Sequence, residues 1–328
     1  MEYKKIPYVE KQISPIVFGT ATQILFDAIE TDRPDIEECR QKAFELLDDV
    51  WNSGINCFDC SAHYGEEILG EWLELRGIRD KAVILSKCAH PNEWRDRVTD
   101  FDILYDIHNS LVKLRTDFID IYMLHRDNPD VPVNIIVDTM NRLYDEGKIG
   151  AFGGSNWTHG RIEAANEYAA KHNLIPFTVS SPNFGLAEQC DNPWVGNCVT
   201  LSGPENKEAR QWYKDNKIAV FAYSALARGF LAGIFKSNER DKAKEILDEA
   251  GFKGYYCDNN FERLRRTEIL AEEKGVSVAQ IALAWLFSNP LDTFLLTSPV
   301  SEKQIRENVA SENIKLTNDE VLWLDLQK

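Results

Sequence analysis

The feature that most constrains the fold is an alternation of two kinds of segment, repeated along the whole chain. Short apolar runs rich in β-branched residues stand at Ile16–Gly19, Ile55–Phe58, Ala82–Ser86, Phe118–Leu124, Ile149–Gly153, Phe177–Ser181, Ile218–Ala222 and Thr293–Thr297. Between them lie segments of helical period at Glu37–Trp51, Glu66–Arg76, Ile103–Leu114, Val133–Glu146, Arg161–Lys171 and Glu205–Asn216. Phe261–Lys274 and Val278–Ser288 precede the last run, and Glu302–Ala310 and Asp319–Gln327 follow it. Short, mainly apolar runs are the signature of strands buried on both faces. Strands that alternate with helices form a parallel sheet with right-handed crossovers, and eight of them close a barrel. The expected fold is therefore α/β, a (β/α)8 TIM barrel, as a single domain over residues 1–328 with long mouth loops. The rival, an open doubly wound sheet, wants a G-x-G-x-x-G directly after a strand. Gly150-Ala151-Phe152-Gly153-Gly154 and the run Gly229–Gly233 lack that spacing. The stretches 190–205 and 226–260 are too long for plain βα turns and read as mouth loops that shape a pocket.

Composition narrows the partners. With 53 acidic and 37 basic residues the chain carries a formal charge of −16, which argues against nucleic acid or an anionic membrane as partner. A local basic pocket for a phosphate stays open. At 44% apolar and 27% charged, a chain of this length buries a core without metal or disulfide staples. Seven scattered cysteines, an odd number, suit a reducing cytosol better than a secreted framework, and Cys57-x-x-Cys60 reads as two buried thiols. The start MEYKKIPYVEKQ has no apolar signal region, and no long apolar run follows, so a cytoplasmic location is expected, with oligomeric state open. His63, His90, His108, His159 and His172 show no metal-ligand spacing and read as surface or capping residues.

The chemistry is concentrated just past the strands, because in a parallel barrel the C-terminal strand ends converge on one mouth. Asp59 follows the second run, Lys87 the third and His125 the fourth. Ser155 and Asn156 follow the fifth, Ser181 ends the sixth, Tyr223-Ser224 follows the seventh and Ser298 the eighth. Tyr64 lies five residues past Asp59. A phenol is a poor acid at neutral pH. A nearby ammonium is expected to lower its pKa, and a carboxylate to hold that lysine charged. An imidazole orients a carbonyl oxygen toward the phenol. Such a set protonates a developing alkoxide, and since no side chain supplies a hydride, a nicotinamide cofactor is required.

These residues carry a resemblance. The run from Gly54 through Asp59 and Tyr64 to Gly65 closely resembles the first signature of the aldo-keto reductases. Ser86-Lys87, Leu124-His125, Gly154-Ser155-Asn156-Trp157 and Ala222-Tyr223-Ser224-Ala225-Leu226-Ala227-Arg228-Gly229 match later family motifs in order. The likeness spans roughly residues 15 to 310. It implies a barrel that binds NADP(H), or less often NAD(H), with Tyr64 as general acid/base, Asp59 and Lys87 tuning it, and His125 positioning a small-molecule carbonyl. It implies Ser155, Asn156 and Ser181 at the carboxamide and Tyr223 stacked on the nicotinamide. Gly19, Thr20, Ser224, Leu226, Arg228, Ser298, Ser301, Gln304 and Asn308 complete the implied cofactor set. Ser181 departs from the usual Gln, and Ser298 and Gln304 stand where NADPH-specific members carry basic residues, which weakens the preference for NADP(H). Trp194 and Trp157 are candidate substrate contacts. The alternatives are a cofactor-binding regulatory barrel with little turnover, and a lyase or isomerase using Lys87 as a Schiff-base nucleophile.

Overall fold

The computed structural model describes residues 1–194 and 196–328; Val195, within the 190–205 stretch, lies outside the described residues. Eight parallel strands follow the sequence order in one closed barrel: β1 Ile16–Gly19, β2 Cys57–Asp59, β3 Val83–Cys88, β4 Ile119–Leu124, β5 Ile149–Ser155, β6 Val179–Ser181, β7 Ala219–Ala222 and β8 Thr293–Thr297. Every residue of these strands is buried. That burial explains why the runs were apolar without alternation.

The chain divides into two compact units, Met1–Ser180 with Ser298–Ile305, and Ser181–Thr297 with Arg306–Lys328. In the first, Gly19 pairs with Asp59, Asp59 with Leu85, and Lys87 with Met123. The phase of the side chains follows from packing. Phe58 meets Trp72 of the helix Glu66–Arg76, with ring centroids 5.3 Å apart, so its neighbours Cys57 and Asp59 point to the opposite face. Cys57 and Cys60 are both buried, and burial pushes both thiols far above their ordinary range, as inert core residues require.

In the second unit β7 pairs with β8, and three expectations are corrected. The 226–260 stretch is not plain loop, since it holds a 3-10 turn at Ala227–Gly229 and helices at Arg240–Ile246 and Glu249–Tyr255. The helix expected from Glu205 begins as a 3-10 turn, Pro204–Asn206, before Lys207–Asn216. Cys190 and Cys257 form a disulfide across 67 residues of sequence, against the expectation of thiols throughout. Near it, Arg263, only 1% exposed, pairs with Glu188 at 2.5 Å and Asp325 at 3.2 Å. Polar staples hold this unit where short loops would need none. No helix among the described residues is long and apolar enough to cross a membrane.

Candidate active site

The loop after β2 is shaped before any chemistry is considered. Ser61 and Tyr64 close a turn by bonding each other's backbone at 2.9 and 3.0 Å. Gly65 follows with φ +78° and caps the helix Glu66–Arg76. A Cβ on Gly65 would sit 1.8 Å from the Thr20 hydroxyl, so this position is closed to side chains on two counts. Thr20 is buried, and both its backbone N–H and its hydroxyl donate to the Asp59 carbonyl, at 2.9 and 2.8 Å. A residue implied as a cofactor contact thus has its hydroxyl engaged in supporting Asp59.

Lys87 gathers the other members. Its ammonium donates to the Asp59 carboxylate, to the Cys60 carbonyl at 3.1 Å and to the Tyr64 hydroxyl oxygen at 2.8 Å. The Tyr64 hydroxyl in turn donates to Asp59 Oδ2 at 3.3 Å. All three ammonium protons are engaged, and Lys87 is 3% exposed. Burial alone would lower its pKa, but the Asp59 carboxylate and the Tyr64 hydroxyl outweigh burial and raise it. The same burial holds Asp59 above the ordinary carboxylate range despite Lys87. For Tyr64, burial and then Asp59 lift the phenol above its ordinary value, more than Lys87 lowers it. The expectation of a net lowering by the ammonium is thus corrected, and the phenol keeps its proton through neutral pH.

His125 completes the set in the first unit. Its ring centroid is 6.1 Å from that of Tyr64, its backbone N–H donates to Cys88 at 2.7 Å, and its Nδ1 is buried with no hydrogen-bond partner. Burial, then Lys87 and Arg126, hold its pKa far below the usual imidazole range, so the ring is neutral. His63 and His90, expected at the surface or at helix caps, instead continue this aromatic cluster. The centroids of His90 and His125 are 4.8 Å apart, and those of His63 and His90 are 4.3 Å apart. The only signal in sequence was position, one residue before Tyr64 and three after Lys87.

The remaining candidates divide by unit. Ser155 and Asn156 end β5 in the first, where Asn156 Nδ2 donates to Ser155 Oγ at 3.2 Å and to the His125 carbonyl at 3.5 Å. A hydroxyl beside an amide suits the carboxamide of a nicotinamide, which needs both donor and acceptor. Ser298 donates to the Gly19 carbonyl at 2.9 Å. Ser301 Oγ accepts from Gln304 N–H, while Gln304 Oε1 accepts from Val300 N–H at 2.8 Å. Gln304 therefore serves the backbone, and its uncharged amide adds no cation for a 2′-phosphate.

Ser181, Tyr223, Ser224, Leu226, Arg228 and Asn308 belong to the second unit. There Ser181 Oγ donates to the Phe221 carbonyl at 2.8 Å. Arg228 is ion-paired with Asp248 and lies over the Trp194 ring at 4.6 Å. One indole face of Trp194 is therefore covered. Trp157 is corrected as a substrate contact. It is wholly buried, its centroid lies 5.2 Å from that of Phe177, and Gly154 leaves the space its indole fills. No group of three or more His, Cys, Asp or Glu among the described residues is placed to hold a metal.

A barrel whose strand ends bring together an acid, a lysine, a phenol and an imidazole defines a class. The sequence profile of the aldo/keto reductase family matches residues 31–325, and the chain belongs to that family. Its members are oxidoreductases that interconvert carbonyls and alcohols, generally with NAD(P)(H). The chain is 28% identical over 265 residues to the aldo-keto reductase YhdN of Bacillus subtilis (strain 168), covering 76% of this chain and 72% of that protein. It is 25% identical over 314 residues to the versiconal hemiacetal acetate reductase of Aspergillus parasiticus, covering 87% and 86%. A rice protein (Oryza sativa subsp. japonica) named "Probable voltage-gated potassium channel subunit beta" is 26% identical over 337 residues, covering 98% and 94%.

Proposed function

We propose that the protein reduces an aldehyde, ketone or keto-sugar with a nicotinamide dinucleotide, with Tyr64 as the proton donor. The observation that carries this reading is the Lys87 ammonium, bonded at once to Asp59, the Cys60 carbonyl and the Tyr64 hydroxyl. As negative charge develops on a substrate oxygen, Tyr64 gives up its proton. Lys87 donates to the oxygen left behind and stabilises it, while Asp59 keeps the lysine charged. The neutral His125 imidazole donates toward the carbonyl and fixes which face it presents. Ser155 and Asn156 hold the carboxamide of the nicotinamide, which supplies the hydride when bound.

None of these three engagements of Lys87 suits a Schiff-base nucleophile, which needs a free amine of lowered pKa. The regulatory alternative, a barrel that keeps its cofactor but turns over little, draws on the similarity to a protein named as a channel subunit; the intact set of Asp59, Tyr64, Lys87 and His125 favours turnover instead.

Tyr64→Phe tests the assignment. It removes one oxygen while keeping the ring, so reductive kcat should fall by about 1000-fold with cofactor affinity close to wild type. A variant that retains most of its turnover removes Tyr64 from the acid role. Titration of NADPH and NADH against tryptophan fluorescence should show less than a hundredfold preference for the phosphorylated form, as a neutral Gln304 predicts.

A further inference from the structure

Arginines across this acidic chain sit against carboxylates: Arg76 on Asp48, Arg97 on Asp106, Arg161 on Asp127. Arg126 differs. Among the described residues no carboxylate lies within ion-pair distance of it, and the adjacent acid, Asp127, is held by Arg161 at 3.1 Å. One guanidinium nitrogen donates to the His125 carbonyl at 2.9 Å, whereas its Nε is buried with no hydrogen-bond partner. A buried guanidinium N–H without an acceptor carries a full desolvation cost, which an arriving anion would relieve. The position is next to the chemistry, since Arg126 directly follows His125 and the His90 ring lies 4.8 Å from that of His125.

The local charge is consistent with that role. Burial first, and then Arg126 and Arg97, keep His90 below its ordinary pKa, so cations face this imidazole from two elements. Lys113 donates to the Ala62 carbonyl at 2.9 Å in the loop that carries Tyr64, and no carboxylate lies within ion-pair distance of it among the described residues. Of the acids here, Asp106 accepts from Arg97 and from the Ala89 N–H, and Asp59 from Lys87; Glu66 accepts from the Ser86 hydroxyl at 2.5 Å, and the cation that acts on it is Lys113, not Arg126. In a chain of net charge −16 the general field repels anions, so a guanidinium left without a carboxylate beside His125 has a local purpose.

We infer that Arg126, with His90 beside it, is an anion subsite, and that the preferred substrate is a carbonyl compound bearing a carboxylate or phosphate group. The inference rests on the reductase reading for the carbonyl, though anion binding at Arg126 can be measured apart from it. A planar guanidinium binds either anion through two parallel N–H bonds, with orientation as well as affinity.

The test pairs each anionic aldehyde with a neutral counterpart: 4-carboxybenzaldehyde with 4-methylbenzaldehyde, and glyceraldehyde 3-phosphate with glyceraldehyde. Binding is measured by calorimetry on the full chain saturated with oxidised cofactor, and turnover separately with the reduced form. Wild type should bind the anionic member of at least one pair at least tenfold more tightly, and which pair shows it separates carboxylate from phosphate. Arg126→Met should lower that ratio on the order of 10- to 100-fold, as loss of a charge-assisted bond predicts, chiefly in KM. Arg126→Lys should restore part of it. Equal binding of both members by wild type overturns the subsite. So does an Arg126→Met variant that loses both members alike, since Arg126 would then only hold the His125 carbonyl. Anion-selective binding that depends on Arg126, without turnover of any aldehyde, upholds the subsite and instead removes the reductase reading.

Discussion

Two lysine–aspartate pairs with buried carboxylates occupy opposite ends of the strands in the first unit, and they do different work. At the N-terminal end Asp120, the second residue of β4, accepts from Lys11 at 2.7 Å, from Arg79 at 3.0 Å and from the Ile84 N–H at 3.0 Å. Lys11 also donates to the Ala82 carbonyl at 2.7 Å. Every partner there is a fixed charge or a backbone group. At the C-terminal end, the Lys87–Asp59 pair includes a third partner, the Tyr64 hydroxyl, that can give up a proton. The pKa directions follow. Burial wins at Lys11 and lowers it despite Asp120, whereas Asp59 and Tyr64 outweigh burial at Lys87. Burial and ion pairing alone do not make a site; the titratable third partner does.

The largest effect that could break this contrast is at Lys87. Lys87→Met should lower reductive kcat by about 1000-fold, because the phenolate loses the cation bonded to it. In the wild type, a phenol raised above its ordinary value stays protonated, so reduction should be level from pH 6 to about 9. Oxidation of the alcohol needs the phenolate and should climb with pH over the same range. A reductive rate that falls across neutral pH would contradict the pKa direction of Tyr64.

Next in size is the opposite end. Arg79→Met takes one of two cations from a buried carboxylate. The partial exposure of Arg79 and Lys11 reduces the loss to about 2 kcal/mol, read as a drop of about 3 °C in the unfolding midpoint. Activity per folded molecule should hold. A loss of kcat with no change in midpoint would erase the distinction between the two pairs.

A smaller effect concerns the histidine cluster. Burial, ahead of nearby cations, lowers the pKa of His63, His90 and His125, while in the unfolded chain each takes up a proton near pH 6.5. The unfolded state therefore binds more protons below that pH. The folded state should be fully stable above about pH 6.5 and lose stability as pH falls below it. Urea midpoints at pH 7.5 and 5.5 measure this, and equal midpoints would refute it. The smallest effect is expected at Trp194, one of whose faces Arg228 already covers. Trp194→Ala should raise KM for a bulky sugar-like carbonyl about tenfold and leave a small aldehyde nearly unaffected. Equal losses on both would mean that the indole only holds its loop.

What the sequence disclosed and what it hid have a common physical basis. Asp59, Tyr64, Lys87 and His125 were legible because each stands at a strand end, and the parallel topology brings strand ends together whatever the loops do. The strands themselves were legible because burial on both faces leaves them mainly apolar, with few polar residues apart from those at the strand ends. The cluster of His63 and His90 on His125 was hidden, since it joins three strand ends whose lateral spacing no one-dimensional pattern records. The burial of Trp157 depended on the side chain that Gly154 lacks. The direction of the Tyr64 shift was misjudged because residue types show which charges are near, while only packing shows how much water is gone. The unmatched state of Arg126 was equally out of reach, for it depends on Asp127 being turned toward Arg161.

The bond between Cys190 and Cys257 has a consequence for how this chain can change over generations. Loops after different barrel strands ordinarily vary one at a time, which lets one scaffold acquire new substrates by separate small steps. Here a covalent link ties the stretch after β6 to the segment entering the helix Asp258–Lys274. The two are inherited as one module, because a length change on one side must be accommodated on the other. A transplant of substrate preference into a related barrel should accordingly carry both segments and both cysteines together, as a single graft.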